Sequence, residues 1–556
     1  MPPARAHGLG GNHNMSNARV HIRNLASNWV SLVANMVVLF FLSRYLMHTL
    51  GKPICGIWSL LNVIAGYMGL FDLGVRSSTG RYIILYLGKG DHERVDQTIR
   101  TGLGFFTLLG GVILLAGCVA GIGFPRFFPT ALPEYRGLVM ILLPIMALNV
   151  WLSVMGAVFS SVLSAHDRWD LVRGVDLGVL ALRAAGTVLS VKWGMGLLGL
   201  VLVTIACNLL GVIANSLQAR RIYPRLRVWP LLLSRERLRE LASYGIFAAL
   251  STIAYRLMGQ TDLVIVGMTL TVDDVAVYSV GAMAIFYSWG LLSQVGQTFF
   301  PPVQRALARG DIGSAKWLYL RQARIGVILG VPIYIGFLMF GYSFLHHWMF
   351  DAVKFPESSV QQAFAVMVVL SWSRLVFLFG VGAEPLLAAI GQIKFNAIIA
   401  CVEAVLNLAL SIFFVLVWHW GLPGVAAGTL VSRILIRSFI SPWRASRAVD
   451  VRWTRYAELI LGGLAAGALF TGWCWCVQRM FADQSWATFT LQVVLALAGY
   501  VPMAFLILVS TVDQKRVLRL LRIIPPAPAG ASQPTLEASA GGELVDVSPA
   551  GKTRRE

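Results

Sequence analysis

The sequence predicts an all-α polytopic membrane protein of about 14 transmembrane helices, built as two six-helix lobes in parallel repeat plus two extra C-terminal helices. Three observations lead there. Apolar stretches of roughly 20 residues recur from Asn24 to Thr511, each long enough to cross a ~30 Å hydrocarbon core as a helix. Hydrophobic residues make up 57% of the chain and charged ones 13%, about half the charge of an ordinary soluble domain. The chain also resembles itself about 220 residues on.

Within a bilayer every backbone polar group must be satisfied inside the segment, so the apolar runs are helices. They fall at about 25–48, 56–76, 98–122, 137–163, 173–193, 196–219, 242–268, 274–298, 322–344, 361–389, 395–418, 421–441, 457–478 and 488–511. Residues 1–23 form a cytoplasmic N-terminal segment, without a cleavable signal peptide. The first lobe takes 24–219, a basic cytoplasmic linker 220–241, the second lobe 242–441 and the accessory pair 442–512. From 513 to 556 the chain is rich in Pro, Ala, Gly and Ser and reads as a disordered cytoplasmic tail.

The formal charge of +20 does not indicate nucleic acid, because no folded soluble domain is present to carry a basic patch. Arg and Lys instead crowd the N-terminus and the even-numbered connections, which makes both termini cytoplasmic by the positive-inside rule. Trp151, Trp193, Trp348, Trp418 and Trp420 fall near span edges, as an interfacial belt requires. The six cysteines lie in or beside apolar runs without metal-ligand spacing.

The repeat sets "GKGD" at Gly88 to Asp91 on "ARGD" at Ala308 to Asp311, and Trp58-Ser59 on Tyr278-Ser279. Both copies begin in the cytoplasm and hold an even number of spans, so they share one orientation. Parallel repeats of this kind place substrate between two lobes near the midplane.

A charge at mid-membrane is costly and marks function or internal pairing. Arg183, Arg256 and Arg374 lie near the middle of their spans and are expected to line a wet, cationic cavity; Arg433 is a further substrate-binding candidate. Arg437, four residues on, is expected to reach the interface by snorkelling. Asp176, Asp262, Glu403 and Asn407 are coupling or gating candidates, Glu403 and Asn407 sharing a helix face. Asp72 and Arg76, four apart, read as a local helical ion pair with a gating role as the alternative.

Enzyme motifs are missing. Gly88-Lys89 is no phosphate loop, since the first glycine of G-x-x-x-x-G-K-[ST] is absent and Gly90 stands where the hydroxyl residue belongs. No internal connection exceeds about 25 residues, which counts against an enzyme that must hold its acceptor outside the bilayer. No cofactor is indicated.

"GIWSLLNVIAGYMGLFDLGVRSSTGRYIILYLGKGD", Gly56 to Asp91, closely resembles the second span and following loop of the polysaccharide (O-antigen and exopolysaccharide) flippases. These belong to the multidrug/oligosaccharidyl-lipid/polysaccharide exporter superfamily. Gln260-Thr261-Asp262, Tyr278-Ser279 and Gly310-Asp311 are similar to the family's second half. The resemblance covers about residues 24–441. It implies two lobes around a cationic cavity and movement of undecaprenyl-diphosphate-linked oligosaccharide to the outer leaflet of the bacterial inner membrane, for polysaccharide biosynthesis and export. It further implies polysaccharide polymerase and export proteins as partners. Coupling to H+ or Na+ stays open. Fourteen spans are shared with peptidoglycan-precursor flippases, which makes these the nearest alternative. A cation-coupled multidrug exporter would need an acidic cavity, and a membrane glycosyltransferase or polymerase would need carboxylates on the outer loops, such as Asp273, Asp274, Asp351 and Glu357.

Overall fold

The computed structural model describes residues 10–72, 75–131, 133–226, 228–229, 235–481, 485–509 and 514. Apart from Gln514, the expected tail lies outside the described residues, as do residues 1–9. The described residues are helical, with no strand among them beyond one isolated bridge, Asp351 to Phe355. The protein is an all-α polytopic membrane protein: twelve stretches among the described residues are long and apolar enough to cross a membrane.

The twelve stretches and the fourteen expected spans differ at two places. Helix α1 (Gly10–Met68) runs through the first two expected spans and is broken only at Gly51, whose φ of +81° a side chain would resist. Helix α7 (Arg235–Thr269) coincides with the seventh expected span and stands outside those twelve stretches. Between them lie α2 (Val75–Gly88), α3 (His92–Phe127), α4 (Pro133–Ala165), α5 (Trp169–Lys192) and α6 (Gly196–Ile222). Then follow α8 (Val272–Ala308), α9 (Ile312–Met349), α10 (Glu357–Leu378), α11 (Ala383–Ala389), α12 (Ile393–Leu416) and α13 (Gly421–Ser432). A π-turn, Arg433–Arg437, joins α13 to α14 (Ser438–Ala448), and α15 (Trp453–Met480) and α16 (Trp486–Ile507) close the chain.

Two expected spans are interrupted. The second ends at Met68 and passes into a 3-10 turn, Gly69–Asp72, before α2 begins at Val75. Asp72 and Arg76 are therefore not on one α-helix, and Arg76 forms no ion pair among the described residues. The tenth breaks between α10 and α11, where the amides of Gly380 and Ala383 donate in turns to Phe377 and Gly380.

The repeat is visible as local geometry. Gly90 and Gly310 take φ of +70° and +72°. The amide of Asp91 donates to the Tyr86 carbonyl at 3.0 Å, and that of Asp311 to Ala306 at 2.9 Å. Each aspartate then caps the next helix, accepting from Arg94 N at 3.0 Å and from Ser314 N at 2.9 Å. Thus Gly ends one helix and Asp starts the next, a division of labour that follows from the left-handed conformation glycine permits and from the free amides of a first turn. The fragments that looked like nucleotide loops are paired helix junctions.

The described chain forms two compact units whose boundaries fall inside α8, α9, α10, α12 and α13. They do not coincide with the 24–219 and 242–441 division expected from the repeat. In the first unit α3 packs on α4 through small residues: a Cβ at Gly121 would meet the Met140 carbonyl oxygen at 2.8 Å, and Trp151 Nε1, packed over Gly110, donates to Phe106 O at 2.9 Å. Close backbone approach is the usual basis of helix association where lipid is as apolar as leucine. The opposite face of α3 carries Leu108, Val112, Leu115, Val119 and Ile122, an exposed stripe at helical spacing that suits lipid. Trp151 and Trp348 do not belong to an interfacial belt. Trp348 is buried, stacks on Phe40 at 4.8 Å and donates to its carbonyl at 3.2 Å. Trp193, Trp418 and Trp420 are exposed, as a belt requires.

In the second unit the accessory helices pack on α9. Tyr500 Oη donates to Ile328 O at 2.9 Å, Gln478 donates to Met339 O at 2.6 Å, and Trp473 ties α15 to Leu495 of α16 at 3.0 Å. Below them Tyr319 and Tyr456 stack at 6.4 Å in a core with Val303, Leu386 and Ala445.

Candidate functional site

The intramembrane polar residues gather in three places. The first is a cavity of about 320 Å³ inside the first unit, lined by Arg76, Arg173, Asp176, Arg183, Asn208 and Asn215 together with serines of α1 and α4. Helix α5 supplies its charge because Arg173, Asp176, Val179, Leu180 and Arg183 recur three or four residues apart and so share one face. Asp176 does not pair with Arg183. Its partner is Arg173, which donates to Asp176 Oδ2 at 3.0 Å and to Asn28 Oδ1 at 2.7 Å. Arg183 keeps a buried Nε with no hydrogen bond, and the Asn215 Oδ1 is likewise buried without one. Asn208 is committed to Asn149, donating to its backbone and side-chain oxygens at 3.0 Å each.

Three arginines thus face one carboxylate, and that carboxylate is already occupied. The lining presents two uncompensated guanidinium groups, from Arg76 and Arg183, in a bundle of membrane helices. Guanidinium forks match phosphate oxygens in charge and geometry, and a group of this size at membrane depth is otherwise costly. The cavity is suited to an anion.

The second place is a buried polar knot, also in the first unit. Asp262 of α7 is 4% exposed and accepts from Tyr278 Oη at 2.7 Å and from Thr429 Oγ1 at 3.0 Å. Thr429 in turn accepts from Asn407 Nδ2 at 2.7 Å. Asn407 Oδ1 is buried without a partner, and Glu403, one turn earlier on α12, is fully buried. Three of the expected coupling residues, Asp262, Glu403 and Asn407, therefore belong to the same buried interior of α7, α12 and α13. The knot concentrates carboxylate, amide and hydroxyl oxygens, the ligand types of a proton or hard-cation site. Arg256, also on α7, stands apart from it and donates to Gly66 O at 3.3 Å.

The third place is in the second unit. Arg374 lies 4.6 Å from the centroid of Trp289, whose ring is 5.1 Å from Phe377; Arg433 lies 5.5 Å from Phe377 and donates to Ser373 Oγ at 3.3 Å. Two arginines thus bracket an aromatic pair, an arrangement that holds each guanidinium against a π face. Arg437 does not snorkel. It is 3% exposed and ion-paired with Glu384 of α11. The reason is the π-turn: the Ser438 amide bonds back to Arg433 O across five residues, and the wider turn keeps both arginines inward.

The outer carboxylates have local duties. Asp274 accepts from Thr271 N at 3.1 Å and Thr271 Oγ1 at 2.7 Å. Asp351 accepts from the amides of Lys354 at 2.8 Å and Val353 at 3.0 Å, which hold its carboxyl below the ordinary aspartate value.

Sequence reasoning singled out Arg183, Asp176 and Arg76 but not Arg173, whose three-residue spacing from Asp176 was the available signal. It paired Glu403 with Asn407 by spacing, whereas Tyr278 and Thr429 are joined to Asp262 only by the fold.

A bundle of membrane-crossing helices with cationic and anionic groups held inside it is an architecture on which transporters are built. Residues 135–348 match the family described as "Polysaccharide biosynthesis protein". A "Putative O-antigen transporter" of Shigella flexneri is 21% identical over 411 residues, 73% of this chain and 93% of its own length. Among solved structures, one titled "Lipid II flippase MurJ, inward closed conformation" has a TM-score of 0.66 at 13% identity, covering 90% of this chain and all of its own. An inward-facing multidrug resistance MATE family transporter of the MOP superfamily has a TM-score of 0.59 at 15% identity, covering 75% and 98%. These likenesses link the chain by sequence to polysaccharide-biosynthesis and O-antigen transport proteins, and to the solved transporters by fold alone.

Proposed function

We propose that the protein is a flippase that carries undecaprenyl-diphosphate-linked oligosaccharide repeat units across the bacterial inner membrane for polysaccharide biosynthesis or export. The observation that carries this reading is the first unit's cavity, with Arg76 and Arg183 uncompensated and Arg173 locked to Asp176. A lipid diphosphate is a membrane-confined anion of about two negative charges, which two guanidinium groups balance. At about 320 Å³ the cavity has room for a headgroup, at the lower end of ligand-pocket sizes. Its prenyl chain stays in lipid. Arg256, in the same unit, is a further contact for the cargo, and the Asp262 knot is the coupling site for H+ or Na+. The basic connections support a cytoplasmic side for both termini. A polysaccharide polymerase is the natural consumer of the product.

A peptidoglycan-precursor flippase is the second reading, favoured by α15 and α16, which extend the chain beyond the repeat. A cationic drug fits less well, because the cavity repels it. An enzyme fits less well too, with Asp274 and Asp351 tied into turns.

Deletion of the gene separates these. Complete lipid-linked oligosaccharide accumulating on the cytoplasmic face is the expected outcome, whereas accumulation of lipid II with growth arrest selects the second reading. Unchanged pools of both refute flipping.

A further inference from the structure

A second basic cavity, of about 370 Å³, lies wholly in the second unit where α9, α15 and the end of α16 converge. Arg324 comes from α9, Arg455 and Glu458 from α15, and Leu459 and Leu506 form an apolar floor. Gln514 folds back over the last turn of α16, its Nε2 donating to the carbonyls of Phe505, Val509 and Leu506 at 2.7, 3.1 and 3.2 Å, which fixes one wall. Among the described residues neither the Arg324 nor the Arg455 guanidinium makes a hydrogen bond or an ion pair, although Glu458 lines the same cavity. Two cations face one carboxylate with no internal satisfaction.

The depth of these residues says what reaches them. Helix α9 has 38 residues, about 57 Å at 1.5 Å per residue, and so exceeds a ~30 Å hydrocarbon core by about 27 Å. Arg324, about 18 Å from its start, lies near the interface rather than the midplane. Arg455 is in the first turn of α15 and Leu506 in the last of α16, at that same membrane face. A charged rim above a leucine floor at interfacial depth has the polarity profile of a phospholipid headgroup above its acyl chains.

We propose that this cavity binds the headgroup of a resident anionic phospholipid, its phosphate held between Arg324 and Arg455 and its chains against Leu459 and Leu506. The site is separate from the cargo cavity of the first unit and sits on the helix pair that the sequence repeat does not include. Free phosphate would satisfy the arginines but leave the leucine floor uncovered.

The test uses the full-length protein, delipidated in detergent and titrated with dioctanoyl phosphatidylglycerol, dioctanoyl phosphatidylcholine or inorganic phosphate, with occupancy read by native mass spectrometry and by melting temperature. Phosphatidylglycerol should bind and stabilise where the other two do not. A basic residue near a membrane surface contributes about fivefold in affinity for anionic lipid, so Arg324→Gln with Arg455→Gln should weaken binding about 30-fold. Glu458→Gln should tighten it, a shift of opposite sign that remains readable if the double variant folds poorly. Equal binding of phosphatidylcholine, equal stabilisation by inorganic phosphate, or indifference to either set of substitutions overturns the assignment.

Discussion

Thr429→Val is the sharpest probe of the buried knot. The substitution keeps the shape of the side chain and removes a hydroxyl that donates to Asp262 at 3.0 Å and accepts from Asn407 at 2.7 Å. A hydrogen bond to a charged acceptor contributes roughly 1.5–3 kcal/mol, and leaving the Asn407 amide nitrogen buried without a partner costs about 1–3 kcal/mol. Asn407 is 1% exposed, so water cannot easily replace the lost partner. Because Tyr278 still donates to Asp262, the lower part of the combined range applies, and the expected loss is about 3 kcal/mol. Tyr278→Phe, which removes one bond and orphans no donor, should cost less, about 1.5–2 kcal/mol. Reversible unfolding in mixed micelles with increasing dodecyl sulfate measures both. A loss under about 1 kcal/mol for Thr429→Val would mean that the knot is not a closed network, and the coupling role built on it would fall with it.

The remaining predictions concern separate places. Sodium chloride should raise the melting temperature above that in choline chloride if Na+ occupies the knot, and Asp262→Asn should abolish the difference; a pH-dependent but Na+-independent shift selects H+. Arg183→Ala and Arg76→Ala should each leave complete lipid-linked units on the cytoplasmic face at normal protein level, and normal export by both removes the cavity from the mechanism. Glu384→Gln leaves Arg437 buried without its carboxylate and should destabilise by about 3 kcal/mol, whereas Glu384→Leu with Arg437→Met should restore most of that; equal losses exclude a buried pair. Gly90→Ala and Gly310→Ala each force a methyl into the left-handed region and should cost about 1–2 kcal/mol, by similar amounts in the two copies. The Ser314 hydroxyl and amide lower the Asp311 carboxyl below its usual 3.8. A depressed value adds stability above the unfolded pKa and loses it as pH falls through the folded one. Asp311→Ala should therefore flatten the acid limb of the stability profile below about pH 4, and an unchanged limb refutes the capping role.

The parts of the fold that depend on local sequence were legible. Apolar length gave the spans, and the adjacent Gly-Asp pairs at Gly90-Asp91 and Gly310-Asp311 gave the matched junctions. What failed was any inference that assumed an uninterrupted helix. Asp72 and Arg76 sit across a 3-10 turn, the tenth span breaks at Gly380, and the π-turn at Arg433–Arg437 turns inward an arginine that 3.6-residue periodicity sends to the interface. The Asp262 knot was only half legible for a different reason. Tyr278 and Thr429 are 16 and 167 residues from their carboxylate, and nothing in an apolar run marks which hydroxyl meets which acid.

The break at Gly51 has a practical consequence for mapping the protein in its membrane. The first two arms of α1 meet at one glycine, with no loop between them, so there is no slack there to accept a fused reporter, a protease site or an epitope. Inserting one would separate the arms rather than decorate a surface. Topology probes for that face belong at the exposed side chains of the adjoining turns, Val353 at 86% and Trp193 at 74% exposure.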